Sequence, residues 1–293
     1  MKYRYLKCKT ALNKPHGHFH YYDLNIYRGC FHACPYCYAI YSHQFLGEND
    51  FFETIYIKEN IAEKLEEQLK AKSWKKEVIN IGSVCDSYQP IEKEKKIMRD
   101  VLKLMIKYEN PIIISTKSTL ILRDIDLLEE LSKITYVSIA LTITSCSDDL
   151  NNLIEPRAPK YLERFKTLKI LKQQTHAQIG LHMMPLIPYL STDKRSIEMM
   201  FKLANQVKVD YVIIALVNLR GNTRKNFFNF LQAKLPEYYQ PIYNFFSNPE
   251  FRKEFNKEFY PMLNNLIAEY QINLDYQRPL SKQQLSLFSF ENE

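Results

Sequence analysis

Glycine is scarce: the chain has 6 in 293 residues. None falls in a G-x-G-x-x-G or G-x-x-x-x-G-K-[ST] pattern, which removes the usual glycine-rich cradles for nucleotide phosphates. No apolar run approaches the ~18 residues a membrane-spanning helix needs. The N-terminal MKYRYLKCKT lacks the apolar core of a secretory signal. There is no second C-x-x-C pair and no Lys/Arg block of the kind that marks a nucleic-acid tail. These absences lead to the expectation of a cytoplasmic protein with no membrane partner. In that compartment thiols stay reduced, and clustered cysteines signify metal or catalysis rather than disulfides.

What the chain does have is an ordinary globular balance, 46% hydrophobic and 25% charged, with aromatics at 13%. Its length suits one large domain, or one domain with a small extension. The formal charge of +7 is compatible with a polyanionic partner and equally with a lysine-rich surface that has none.

Short apolar runs alternate with helical patterns. Strands are expected at 21–27, 78–84, 111–116, 135–142, 178–184 and 210–217. Helices are expected near 58–72, 92–108, 124–133, 160–174 and 192–207. In the first, apolar residues at 61, 65 and 69 form one face. Six strands separated by helices imply an α/β fold on a parallel sheet covered on both faces. After residue 220 the pattern changes to amphipathic helices rich in Phe and Tyr. These either pack over the open side of the sheet or present a platform for stacked bases, and packing is the common outcome at helical spacing. The expected divisions are an N-terminal segment 1–20, a core 21–220, a helical extension 221–275 and a flexible tail 276–293.

YRGCFHACPYCYA, residues 27–39, places Cys30, Cys34 and Cys37 within eight positions. Thiolates are the ligands of iron–sulfur clusters and of structural zinc. Three thiolates can hold three irons of a four-iron cubane and leave the fourth open for chemistry. A fourth cysteine would close the cluster for electron transfer alone. Zinc is the alternative, with a fourth ligand from His32, His20 or Cys8.

The C-x-x-x-C-x-x-C spacing after a first strand, with an aromatic before the last cysteine, resembles the radical SAM superfamily. GSVCDSYQPIE (82–92), STKS (115–118), IEPRAP (154–159) and PLIP (185–188) follow in the order of its spore photoproduct lyase-like branch. The resemblance implies a partial (β/α)6 barrel, with the site at the C-terminal ends of the strands. It implies a [4Fe–4S] cluster on Cys30, Cys34 and Cys37, and S-adenosyl-L-methionine cleaved reductively to a 5′-deoxyadenosyl radical. By the same resemblance, Cys85 returns a hydrogen atom to the product, helped by Tyr36 and Tyr38. Lys117 pairs with the cofactor carboxylate. Asp86, Ser87 and Thr142 are further cofactor contacts, and Glu155 and Arg157 form a loop ion-pair system near it. A reducing partner such as flavodoxin or ferredoxin and a damaged-DNA substrate are also implied.

Each assignment has a plainer counterpart: a small buried thiol for Cys85, a surface cation for Lys117, a β-former for Thr142. His182 reads as either a cavity residue or a satisfied core histidine. His16, His18 and His20 read as a rim loop rather than a metal site, and Cys8 and Cys146 as structural. His43 resembles a recurrent position of the branch with no derivable role. In the tail, QLSLF (Gln284, Leu285, Leu287 and Phe288) resembles the bacterial sliding-clamp-binding pentapeptide, whose apolar anchors fill a groove. Three functions follow: a radical enzyme on DNA lesions; a radical enzyme on RNA, a peptide or a metabolite; and a nucleic-acid- or clamp-binding adaptor with a structural metal.

Overall fold

The computed structural model describes residues 1–15, 21–46 and 50–276. In chain order the elements begin with β1 (Lys2–Leu6), β2 (Leu12–Asn13), β3 (Tyr21–Leu24), β4 (Tyr27–Arg28) and β5 (Thr54–Lys58). There follow α1 (Ile61–Leu69), β6 (Val78–Ile81), α2 (Glu92–Lys95), α3 (Ile97–Tyr108), β7 (Ile112–Thr116) and α4 (Ile125–Ile134). Next come β8 (Val137–Thr142), α5 (Asp148–Ile154), α6 (Tyr161–Gln174), β9 (Gln178–Leu186), α7 (Lys194–Val207) and β10 (Tyr211–Leu216). Three helices close the order: α8 (Gly221–Lys234), α9 (Pro236–Ser247) and α10 (Pro249–Glu269).

The main sheet runs β10-β9-β8-β7-β6-β3-β2. Its first six strands are parallel and in sequential order, and β2 is added antiparallel to β3. This is an α/β fold, an open (β/α)6 barrel. Every residue of β8 is buried, as a strand covered on both faces requires. The helices turn one apolar stripe to the sheet: α1 buries Ile61, Leu65 and Leu69, the face read from spacing. One sheet edge carries β2. At the other, the Val212 amide donates to the Asn273 carbonyl at 2.8 Å, so the segment after α10 shields that edge.

A second sheet, β1-β5-β4, was not legible in the pattern. The expected strand 21–27 is divided: residues 21–24 enter the barrel, while Tyr27 and Arg28 pair with β5. In the described part of the 1–20 segment, β1 lies parallel to β5 and β2 extends the main sheet.

The expected helix 92–108 is also divided, at Lys96, whose φ is +54°. Glu92 is the cause. Its buried carboxylate accepts from the Ile97 amide at 3.2 Å and the Met98 amide at 2.9 Å, capping α3 from inside the core. Tyr27 Oη donates to it at 2.5 Å and Arg123 at 2.7 Å.

The aromatic extension packs rather than presenting a free platform. Phe227, Phe228 and Leu231 of α8 and Ile242 of α9 form a second apolar core with Cys34, Tyr36, Ile154, Ile187 and Val217. The C-terminal helices therefore wall the cysteine loop.

Candidate active site

Loops at the C-terminal ends of β6, β7, β8, β9 and β10 join the cysteine loop around one cavity of about 310 Å³. Cys30, Cys34 and Cys37 form one wall. Gly82 to Asp86 follow β6, Ser115 and Thr116 end β7 with Lys117 just after it, Thr142 ends β8, Met184 lies in β9 and Asn218 follows β10. In an open parallel barrel this end is where ligands bind.

The cysteine loop leaves β4 through Gly29, whose φ is +84°. A Cβ there would lie 2.3 Å from the Thr54 carbonyl oxygen of β5. The Cys30 amide donates to the Phe51 carbonyl at 3.2 Å and the Cys37 amide to the Cys34 carbonyl at 3.0 Å. The small sheet thus fixes where the loop begins. Gly29→Ala combines an unfavourable backbone region with a backbone collision. It is expected to cost more than about 1 kcal/mol and to lower iron retention, measured by urea unfolding and iron analysis.

Burial pushes all three thiols up, Cys34 to about 12, so without metal they are protonated. Among the described residues no group of three or more His, Cys, Asp and Glu side chains is placed to hold a single metal ion. Zinc needs its sulfurs about 2.3 Å from one point. A cubane puts each thiolate on a different iron, so its three ligands need not converge on one point. The other proposed zinc ligands are engaged: His32 Nε2 lies 2.9 Å from Asp86 Oδ2, and Cys8 Sγ donates to Asn60 at 3.4 Å. His16, His18 and His20 lie outside the described residues, as does the tail motif 284–288.

Cys85 lines the same cavity, buried, with its thiol donating to the Tyr27 carbonyl at 3.2 Å. Burial raises it to about 12, so the S–H is retained at neutral pH. Gly82, at φ +90°, brings this wall close: a Cβ would sit 3.1 Å from the Cys85 carbonyl and 3.3 Å from Ser87 Oγ. Ser87 itself is buried behind the wall, and its hydroxyl has no hydrogen-bond partner among the described residues.

The two tyrosines separate in character. Tyr36 is buried and donates its hydroxyl to Glu155. Tyr38 is 59% exposed and donates to the Ser83 carbonyl across the cavity mouth.

Asp86 is turned into the wall. Its carboxylate accepts from the Thr116 hydroxyl at 2.7 Å, the Lys117 amide at 2.8 Å and the Tyr88 amide at 2.9 Å, beside His32. Burial opposes its charge, but His32 and these donors hold it far below the usual carboxylate range. Its geometry is that of a group organising the β6 and β7 loops.

Lys117 presents its ammonium to the cavity, 3.9 Å from Glu155 Oε1 and over the Tyr36 ring. Burial works against its charge. An ionised Cys34 sulfur and the Glu155 carboxylate favour the charged form, and its pKa is raised.

Glu155 and Arg157 do not pair with each other. Glu155 pairs with Arg164, Nη1 to Oε2 at 2.5 Å, and accepts from Thr144 at 2.9 Å. Burial opposes its ionisation, yet Arg164 and Lys117 hold it at about 2. Arg157 instead pairs with Glu53 and donates to the Phe52 carbonyl at 3.1 Å. It lines a neighbouring cleft, not the cysteine cavity.

Arg164 escaped the sequence reading. It is 1% exposed and also donates to the carbonyls of Thr142 at 2.9 Å and Pro159 at 2.8 Å. A signal existed: Arg164, Leu168 and Leu171 share the buried stripe of α6.

His182 is a packed core histidine. Nδ1 lies 3.4 Å from Ser115 Oγ and Nε2 3.5 Å from Tyr211 Oη. Burial, then the Lys117 charge, lowers it to about 4. The unfolded chain binds the proton more readily, so this contribution is present above pH ~6.5 and is lost as pH falls toward 4. The loss reaches about 3 kcal/mol at 1.36 kcal/mol per unit. His182→Gln is expected to flatten the decline in melting temperature between pH 7 and 4.5.

His43 is buried with its ring against Phe51 and Tyr56. Cys146 packs at the margin of the barrel core. No helix among the described residues is long and apolar enough to cross a membrane.

Comparison with known proteins agrees with this geometry. A protein of Mycobacterium tuberculosis H37Rv described as uncharacterised is 29% identical over 282 residues, covering 92% of this chain and 81% of that one. An uncharacterised protein of Methanocaldococcus jannaschii is 30% identical over 254 residues, 82% of this chain and 86% of its own. Among solved structures, spore photoproduct lyase complexed with dinucleoside spore photoproduct superposes with a TM-score of 0.58 at 14% identity, over 85% of this chain and 74% of that one. A variant of that lyase with bound AdoMet and dinucleoside spore photoproduct gives 0.53 at 13%, over 82% and 74%. The sequence model of the Radical SAM superfamily matches residues 24–204, and the chain belongs to that superfamily, with a fold like that of spore photoproduct lyase.

Proposed function

We propose that this protein is a radical SAM enzyme acting on a damaged nucleobase in DNA, with Cys85 returning a hydrogen atom to the product. One observation supports the reading above the rest. A buried thiol outside the cluster triad lines the same cavity as the triad.

When bound, the [4Fe–4S] cluster and S-adenosyl-L-methionine supply a 5′-deoxyadenosyl radical that abstracts hydrogen. Cys30, Cys34 and Cys37 are the residues that would hold the cluster. Lys117 offers a cation at the end of β7 to the carboxylate of the bound cofactor, as cations at such positions do. Thr142 lines the same cavity. The apolar packing of α8 and α9 behind Cys34 and Tyr36 keeps water from the rear of the loop.

Cys85 suits hydrogen-atom return because its proton stays on sulfur at neutral pH. The S–H bond is weak, and the resulting sulfur radical is tolerated. Tyr38 stands at the cavity mouth with its ring exposed, while the Tyr36 hydroxyl is committed to Glu155. The Tyr38 hydroxyl also has a protein acceptor, the Ser83 carbonyl, and the more exposed Tyr38 is the proposed relay.

Anaerobic protein with a reconstituted cluster should revert a thymine-dimer adduct in an oligonucleotide. Cys85→Ala should still cleave the cofactor but divert the substrate radical to side products. An unchanged product distribution in the variant removes Cys85 from the mechanism. Cofactor cleavage stimulated by RNA or a peptide, and not by damaged DNA, reassigns the substrate.

A further inference from the structure

A second cavity, of about 580 Å³, opens beside the cysteine cavity. Tyr38 and Tyr41 form one side of it. Asn218 and Arg220, from the connection between β10 and α8, and Asn222 and Thr223, from the first turn of α8, complete the lining. We propose that it is a subsite for one nucleotide of a polynucleotide strand, with the base on Tyr41 and the phosphate at Arg220. This rests on the reading of a nucleic-acid substrate given above.

Position comes first. Tyr38 and Asn218 line both cavities, so the two adjoin. A strand seated in the outer one delivers an adjoining nucleotide to the thiols of the inner one. The shared wall is fastened to the cysteine loop: Thr223 Oγ1 donates to the Cys37 carbonyl at 3.1 Å, and Asn226 Nδ2 to the Pro35 carbonyl at 2.8 Å.

Chemistry decides the ligand. Tyr38 and Tyr41 are 59% and 45% exposed and line the same cavity, and bases stack on such rings whatever their identity. Arg99, Arg123, Arg157 and Arg164 are each paired with a carboxylate. Arg220 has no such partner among the described residues. No Asp or Glu lines this cavity among them either, so an anion meets no repulsion. Exposed rings, an uncommitted guanidinium and side-chain amides suit a nucleotide. An acid-free wall does not suit a cationic peptide.

The test is anaerobic binding of fluorescein-labelled single strands, DNA and RNA of one sequence, to the cluster-loaded full chain, read by anisotropy across a salt series. Tyr41→Ala should weaken binding roughly 5- to 150-fold, the equivalent of about 1–3 kcal/mol per stacked base, while Tyr41→Phe retains it. Arg220→Gln should reduce the slope of log affinity against log salt by about 0.7. Lys208→Gln, at the far end of α7, should leave the slope unchanged. Thermal melts confirm that each variant folds. If these losses occur with RNA and DNA does not bind, the subsite stands and the DNA reading falls. If Tyr41→Ala and Arg220→Gln bind both strands like the parent, or the parent binds neither, the subsite is overturned. Reversal of the damaged oligonucleotide then judges the DNA reading separately.

Discussion

Arg164→Met is expected to destabilise the protein by about 3–5 kcal/mol, the usual cost of removing one partner from a buried ion pair. Arg164 and Glu155 have 1% and 0% side-chain exposure. Without the guanidinium, the carboxylate keeps Tyr36, Thr144 and the more distant Lys117, too little to offset its desolvation. The Thr142 and Pro159 carbonyls lose their donor as well. Against a typical total of about 5–15 kcal/mol, that loss is large. The double variant Arg164→Met, Glu155→Gln removes the stranded charge and should recover much of it. Chemical unfolding of the two variants decides the matter. A loss under about 1 kcal/mol in the single variant would mean that the charged network does not anchor this end of the barrel. Because Tyr36 lies within the cysteine loop and donates to Glu155, the single variant should also loosen the cluster.

The second large effect is expected at Cys34. If Cys30, Cys34 and Cys37 hold the cluster as proposed, Cys34→Ala removes one of its three thiolates, so cluster assembly and cofactor cleavage should both be lost. Cys146→Ala is the matched control. That thiol packs at the margin of the barrel core, away from the cavity, and its removal should leave the visible iron–sulfur absorption and the cleavage rate intact. Retention of full absorption by Cys34→Ala would show that the triad is not the ligand set.

How far the sequence could be read depends on where each element's information lies. Strands β6 to β10 were legible because burial on both faces turns a parallel strand into a local apolar run. The cysteine loop was legible for a similar reason, since its three ligands lie within eight positions. The β1-β5-β4 sheet was not, because pairing Lys2 with Thr54 is a long-range event that five-residue segments do not announce. The division of the 92–108 helix depends on one carboxylate turning inward toward Tyr27 and Arg123, which lie far away in sequence. In the same way, Glu155 and Arg157 are adjacent in a motif, yet α6 supplies the true partner of Glu155 and a loop before β5 that of Arg157.

Cofactor cleavage by the anaerobic, cluster-loaded protein tests the central claim most directly. With strong reductant and S-adenosyl-L-methionine, release of 5′-deoxyadenosine is predicted, and it should vanish in Cys34→Ala. Protein that carries a full complement of iron and sulfide yet neither binds the sulfonium compound nor releases 5′-deoxyadenosine would contradict an open iron held by Cys30, Cys34 and Cys37.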